Sequence, residues 1–81
     1  MVKVAVWGTL RDFTGGAAEV EVEARNLRQL LDQLAEDYPG LKPQLERGVS
    51  VSIDGEVYND SWFKRIEPES EVVLLPRIVG G

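Results

Sequence analysis

The chain has 81 residues, with 9 Lys and Arg against 14 Asp and Glu and a net charge of −5, which makes one small domain without room for a second. It contains no His and no Cys, so disulfides, thiolate or imidazole zinc sites, and the common side-chain nucleophile and neutral-pH base are excluded. The acidic balance argues against direct nucleic-acid binding, which draws on clustered Lys and Arg, and favours a partner with a basic face.

Val2, Val4 and Val6 alternate with Lys3, Ala5 and Trp7, the period of a strand. This opening reads as a strand and not as a leader. No apolar run approaches the roughly 18 residues of a membrane span; with no Cys, the expectation is a cytoplasmic protein that meets no membrane. Gly8 to Gly16 is a turn-rich connection. Glu19, Glu21 and Glu23 then alternate with Val20, Val22 and Ala24, a second strand with one wet face that forms a hairpin with the first. A helix follows, capped by Asn26 with Gln29 three residues on, as in a capping box. Leu27, Leu30, Leu31, Leu34, Ala35 and Tyr38 share its apolar face, and Pro39-Gly40 stops it. Leu41 to Arg47 is read as one short extra turn of helix.

Val49, Val51 and Ile53 form a third strand, and Asp54-Gly55 is a two-residue hairpin signal leading to a short edge strand, Glu56-Val57-Tyr58. Asn59 to Ser70 is irregular, with Trp62, Phe63 and Ile66 expected to pack beneath it. Because Trp62 and Phe63 are adjacent, extended chain would bury one and expose the other. Val72-Val73-Leu74-Leu75 is apolar without alternation, the pattern of a central strand covered on both faces. Pro76 ends it, since proline donates no ladder hydrogen bond. The order is that of an α+β domain: a mixed sheet with one main helix across one face. Its most economical arrangement sets the first and last strands side by side and parallel, the β-grasp or ubiquitin-like roll. The expected organisation is a body over 1–75 and a flexible Gly-Gly tail over 76–81.

That tail, Pro76-Arg77-Ile78-Val79-Gly80-Gly81, carries the chemistry. A carboxylate is a poor electrophile until it is made a mixed anhydride, usually by adenylation with ATP. One at the end of six extended residues reaches about 20 Å from the body at 3.3–3.6 Å per residue. Without a Cβ, Gly80 and Gly81 fit a narrow channel, and a methyl at Gly81 would crowd the carbon under attack. The chain is therefore read as a substrate and not as a catalyst. Leu75 and Ile78, flanking the root of the tail, and Trp7 and Phe13, as an apolar patch, are candidate partner contacts. Arg11 is a candidate to position a partner's acid. Lys3, Lys42 and Lys64 have nothing to set them apart from ordinary surface lysines.

These residues resemble the ubiquitin-like sulfur-carrier family, and within it the small subunits of molybdopterin synthase. The first strand followed by Leu10-Arg11-Asp12 and Gly15 is similar to the family's first strand and Leu-Arg-Glu/Asp…Gly loop. Leu30, Leu31, Leu34 and Tyr38-Pro39 match its helix, and Ile53-Asp54-Gly55-Glu56 its hairpin. Glu71-Val72-Val73-Leu74-Leu75-Pro76 with Gly80-Gly81 matches its closing segment. The resemblance implies that an activating enzyme adenylates Gly81 with ATP and that sulfur from a donor enzyme displaces AMP to leave a thiocarboxylate. The tail, Pro76 to Gly80 leading to Gly81, would then enter the synthase large subunit, where sulfur passes to the molybdopterin precursor. The carrier itself would bind no cofactor or metal. Two departures bear on the partner. Arg77 stands where the synthase subunit usually has a second Pro, which frees the backbone and adds a charge able to pair with a carboxylate. Glu67-Pro68-Glu69-Ser70 replaces the usual Gly-Asp. The other acceptors to weigh are a thiamine, tRNA-thiolation or cysteine pathway. Conjugation through Gly81 as a protein modifier, or a bare β-grasp interaction module, completes the alternatives.

Overall fold

The computed structural model describes residues 1–59 and 61–76. Five strands, β1 (Val2–Val6), β2 (Glu19–Val22), β3 (Val49–Ile53), β4 (Glu56–Tyr58) and β5 (Val72–Pro76), form one sheet, with helices α1 (Leu27–Asp37) and α2 (Lys42–Arg47) between β2 and β3. The sheet order is β2-β1-β5-β3-β4. β1 and β5 are parallel, with Val4 opposite Val72 and Val6 opposite Leu74; the other neighbours are antiparallel. This is the β-grasp, ubiquitin-like fold, with the first and last strands paired as the sequence implies.

The alternation of β1, β2 and β3 decides which face is covered. Val2, Val4, Val6, Val20, Val22, Val51, Ile53, Val72 and Leu74 point to one face and are buried there with Leu27, Leu30 and Leu34 of α1. Burial of this kind contributes roughly 25 cal/mol per Å² of apolar surface. The helix begins where its backbone donors find acceptors. The side chain of Asn26 accepts from the Gln29 amide at 2.9 Å. The amides of Leu27 and Arg28 donate to the carbonyls of Lys64 and Trp62 at 3.0 and 2.9 Å. The first three donors of α1, orphaned within the helix itself, are thus all satisfied. The reciprocal capping bond falls one residue early: the Gln29 side chain accepts from the Arg25 amide at 3.0 Å. At the β3–β4 hairpin, Asp54 and Gly55 both take positive φ, 52° and 89°, as a type I′ turn requires.

Four local readings are corrected. The Gly8–Gly16 connection contains a 3-10 helical segment, Gly8–Phe13. Among the described residues, β5 is central but covered on one face only. Its Val73 and Leu75 are half-buried on the side that also carries exposed Lys3, Glu19 and Glu21, because α1 packs against the other face. Pro76 is the last residue of β5, opposite Val49, so the sheet reaches one residue past the 1–75 body. Finally, Trp62 and Phe63 do not divide into one buried and one exposed ring: they are 44% and 81% exposed, and Ile66 alone fills the space beneath. The chain turns there, with the Lys64 amide donating to the Ser61 carbonyl at 2.9 Å, so the alternation of extended chain does not apply.

Candidate functional site at the end of the central strand

β5 is the last element of the described residues, and the local chain is arranged to hold its end still. β5 lies between β1 and β3, with Leu75 opposite Ser50 and Pro76 opposite Val49. The Trp7 amide extends the parallel ladder by donating to the Leu74 carbonyl at 3.0 Å. The chain then turns at Gly8, whose φ of 67° belongs to the left-handed region that favours glycine. A Cβ built on Gly8 would lie 3.4 Å from Pro76 Cγ, so the bare backbone there forms a wall beside the root of the tail.

Arg11 is fastened to the same corner. Its Nε donates to the Val6 carbonyl at 2.8 Å, while the residue as a whole is exposed. The Thr14 hydroxyl, in a buried residue, donates between the carbonyls of Arg11 at 3.2 Å and Ala17 at 3.0 Å and closes the loop behind it. Arg11 therefore presents cationic N–H groups from a fixed position at the end of β1, beside the end of β5.

Trp7 and Phe13 separate. Trp7 is 55% exposed, on the face of the sheet that α1 leaves open. Phe13 is half-buried against the core, with its ring packed on Gly40, where an added Cβ would come within 3.5 Å of Phe13 Cδ1. The geometry thus joins Trp7, Arg11, Leu75 and Pro76 around one exit and turns Phe13 towards the interior. Arg77, Ile78, Val79, Gly80 and Gly81 lie outside the described residues. Sequence reasoning missed Gly8, Val49 and Ser50. Gly8 was legible only as the start of a turn, and nothing local showed that the turn lies against the last strand. Ser50, a polar residue between Val49 and Val51 of β3, is buried, and its hydroxyl donates to Asn59 Oδ1 at 2.7 Å.

Among the described residues, no group of three or more Asp and Glu is placed to hold a metal ion, and no helix is long and apolar enough to cross a membrane. The corner offers a positioned strand end, an exposed aromatic and a cation.

The ThiS family model matches residues 4–81. The chain belongs to the ThiS family. This ThiS-family protein is thus one of the ubiquitin-like sulfur carriers, and the match runs over the body and through Gly80-Gly81. No curated protein matches it in sequence. Solved structures match it over nearly their whole lengths. Mycobacterium tuberculosis CysO has a TM-score of 0.82 at 22% identity, covering 96% of this chain and 100% of that one. The Amycolatopsis orientalis BexX/CysO complex gives 0.79 at 22% identity, with 100% of each chain covered. Small archaeal modifier protein 1 of Methanosarcina acetivorans gives 0.79 at 23% identity, covering 99% of this chain and 95% of that one. At these identities the likeness is one of fold.

Proposed function

We propose that this protein carries sulfur as a thiocarboxylate on Gly81. The observation that carries the reading is the family match through Gly80-Gly81, only five residues beyond a central strand whose end is pinned by Trp7, Gly8 and Val49. Five extended residues reach about 17 Å, enough to enter a partner's active site while the body stays outside. In the proposed chemistry an activating enzyme joins the Gly81 carboxylate to the α-phosphorus of ATP and pyrophosphate leaves. The terminal sulfur of a donor persulfide then attacks the acyl carbon and AMP leaves. A second donor thiol cleaves the S–S bond, so that the donor becomes a disulfide and the carrier keeps one sulfur in place of one oxygen. The carrier supplies presentation, and the partners supply the acid–base groups that titrate near neutral pH, since this chain has no His.

For the acceptor, the Leu10-Arg11-Asp12 loop and the closing Glu71–Pro76 segment support the molybdopterin precursor, with the large subunit of molybdopterin synthase as the receiving partner. A second reading is transfer to another acceptor, or conjugation of Gly81 to amines of other proteins. It is favoured by the similarity to CysO and to a protein named a modifier, and by Arg77 in the place of a proline.

The test is intact mass spectrometry of the protein incubated with its activating enzyme, ATP and a sulfur donor. The expected product is heavier by the difference between sulfur and oxygen, and it is absent when Gly81 is deleted. An unchanged mass under turnover conditions overturns the reading. Adding the synthase large subunit with the pterin precursor, and separately searching cellular lysines for a Gly-Gly remnant, distinguishes the acceptors.

A further inference from the structure

On a chain with net charge −5, four of the nine Lys and Arg lie on two neighbouring segments. Arg25 and Arg28 flank the start of α1, and Lys64 and Arg65 lie on the loop before β5. The two segments are far apart in sequence and are joined by backbone. Besides the bonds from Leu27 to Lys64 and from Arg28 to Trp62, the Ile66 amide donates to the Arg25 carbonyl at 2.8 Å, and Asn26 bridges to Arg65. The same bonds hold Trp62 and Phe63 outwards, 44% and 81% exposed. A loop fixed in this way does not withdraw its aromatic rings from water by moving, so their exposure belongs to the folded state.

The two rings stand at separate hollows. One, of about 560 Å³, is formed by Phe63 with Ala24, Ile66 and Pro68 between Arg25 and Arg65. The other, of about 260 Å³, is formed by Trp62 with Leu31 between Arg28 and Asp32. The ion pairs in this region are exposed: Arg28 with Asp32 at 3.8 Å and Arg65 with Glu67 at 2.7 Å. Such pairs contribute little to stability and exchange readily for a partner's carboxylate. Lys64 Nζ lies over the Tyr58 ring at 5.3 Å, which keeps its charge at the surface. Beyond Arg25 the surface turns acidic again with Glu23 and Glu36, so the cationic zone is bounded.

The Phe63 side of the patch lies away from the end of β5, whereas Trp62 also borders a hollow with Leu45, Arg47 and Val49. α1 starts beside the sheet end where Val22 meets Val2 and Ile53 meets Val72. β5 ends at the opposite end, where Pro76 meets Val49.

We propose that Arg25, Arg28, Trp62, Phe63, Lys64 and Arg65 form a second docking surface, and that its occupant is an acidic protein segment bearing an apolar or aromatic anchor. Charge complementarity selects the acid, and the two hollows select the anchor. Trp and Arg together are the residue types that concentrate binding energy at interfaces. A polyanion such as RNA fits less well, because four cations beside two acids on a net-negative body release few counterions. The inference is independent of the chemistry at Gly81.

The experiment is selection of a random peptide library displayed on phage against the full chain, with counter-selection against the R25E/R65E double variant. Both positions are exposed, and circular dichroism verifies that the variant is folded. The selected peptides are expected to be rich in Asp and Glu around an aromatic or leucine anchor. R25E/R65E should weaken them at least about tenfold, as like charge placed across an interface does, and W62A or F63A should weaken them without changing the fold. In a 15N-labelled sample a selected peptide should move the Trp62 indole signal and leave that of Trp7 in place. Failure to enrich acidic sequences, binding that survives R25E/R65E, or movement of Trp7 instead of Trp62 overturns the proposal. So does tighter binding of oligouridylate RNA at the same residues. Movement of the patch signals with the concentration of the protein alone also overturns it, by assigning the surface to a second copy.

Discussion

Gly8 and Pro76 lie back to back: a Cβ on Gly8 would sit 3.4 Å from Cγ and 3.7 Å from Cδ of the proline ring. The first strand's exit thereby forms one wall of the last strand's exit, and the residue that makes this possible is held at a φ of 67°. Gly15 has the same φ but nothing within 4 Å of an added Cβ. Gly8→Ala and Gly15→Ala are each expected to lose about 1–2 kcal/mol in urea denaturation, the cost of a left-handed L-residue. Only Gly8→Ala should also slow charging of Gly81 in the mass assay. Equal charging rates for the two variants would restrict Gly8 to a backbone role.

Leu74 and Leu75 are neighbours with opposite duties. Leu74 is fully buried under α1, and Leu74→Ala is expected to cost about 2–5 kcal/mol, a large part of what a domain of this size has. Leu75 is half-buried on the open face. Leu75→Ala should cost only about 1 kcal/mol while weakening capture by the activating enzyme, seen as a raised KM at unchanged kcat for adenylation. A large stability loss at Leu75 would mean that the open face is covered in solution.

Arg11 combines a structural bond with an exposed charge. Arg11→Ala removes the donor to the Val6 carbonyl and is expected to destabilise the chain by about 1 kcal/mol. Arg11→Lys keeps the charge but not the planar Nε donor. If the charge serves a partner, Lys should restore the rate of charging to a greater degree than it restores stability. If Lys restores stability but not charging, the guanidinium fork itself is what the partner reads.

The start of α1 is secured locally by Asn26. Asn26→Ala should cost about 1 kcal/mol, with the midpoint falling and the denaturant slope unchanged. The same variant should loosen Trp62, because the loop that carries it is bonded to the amides of Leu27 and Arg28. A red shift of Trp62 emission, read in a Trp7→Phe background, checks this.

Local pattern was enough to place most elements. Valine alternation marked β1 and its buried face, Asn26 with Gln29 marked the start of α1, and Asp54-Gly55 marked the β3–β4 turn. The uninterrupted Val72–Leu75 run pointed to the middle of the sheet. These signals succeed because side-chain period and turn chemistry act over a few residues. The Gly80-Gly81 pair likewise stood in plain view in the sequence.

What the amino-acid order determined alone was therefore the identity and order of the strands and of the main helix, and the apolar face of β1, β2 and α1. Tertiary structure decided which distant segments became neighbours. It set Gly8 against Pro76, left Val73 and Leu75 on an uncovered face, and pinned residues 62–66 to the start of α1 with Trp62 and Phe63 outside. The physical reason is that these relations rest on backbone hydrogen bonds and packing between segments tens of residues apart. Such bonds depend on the geometry of the completed sheet and helix and carry no mark of side-chain type that a local pattern would display.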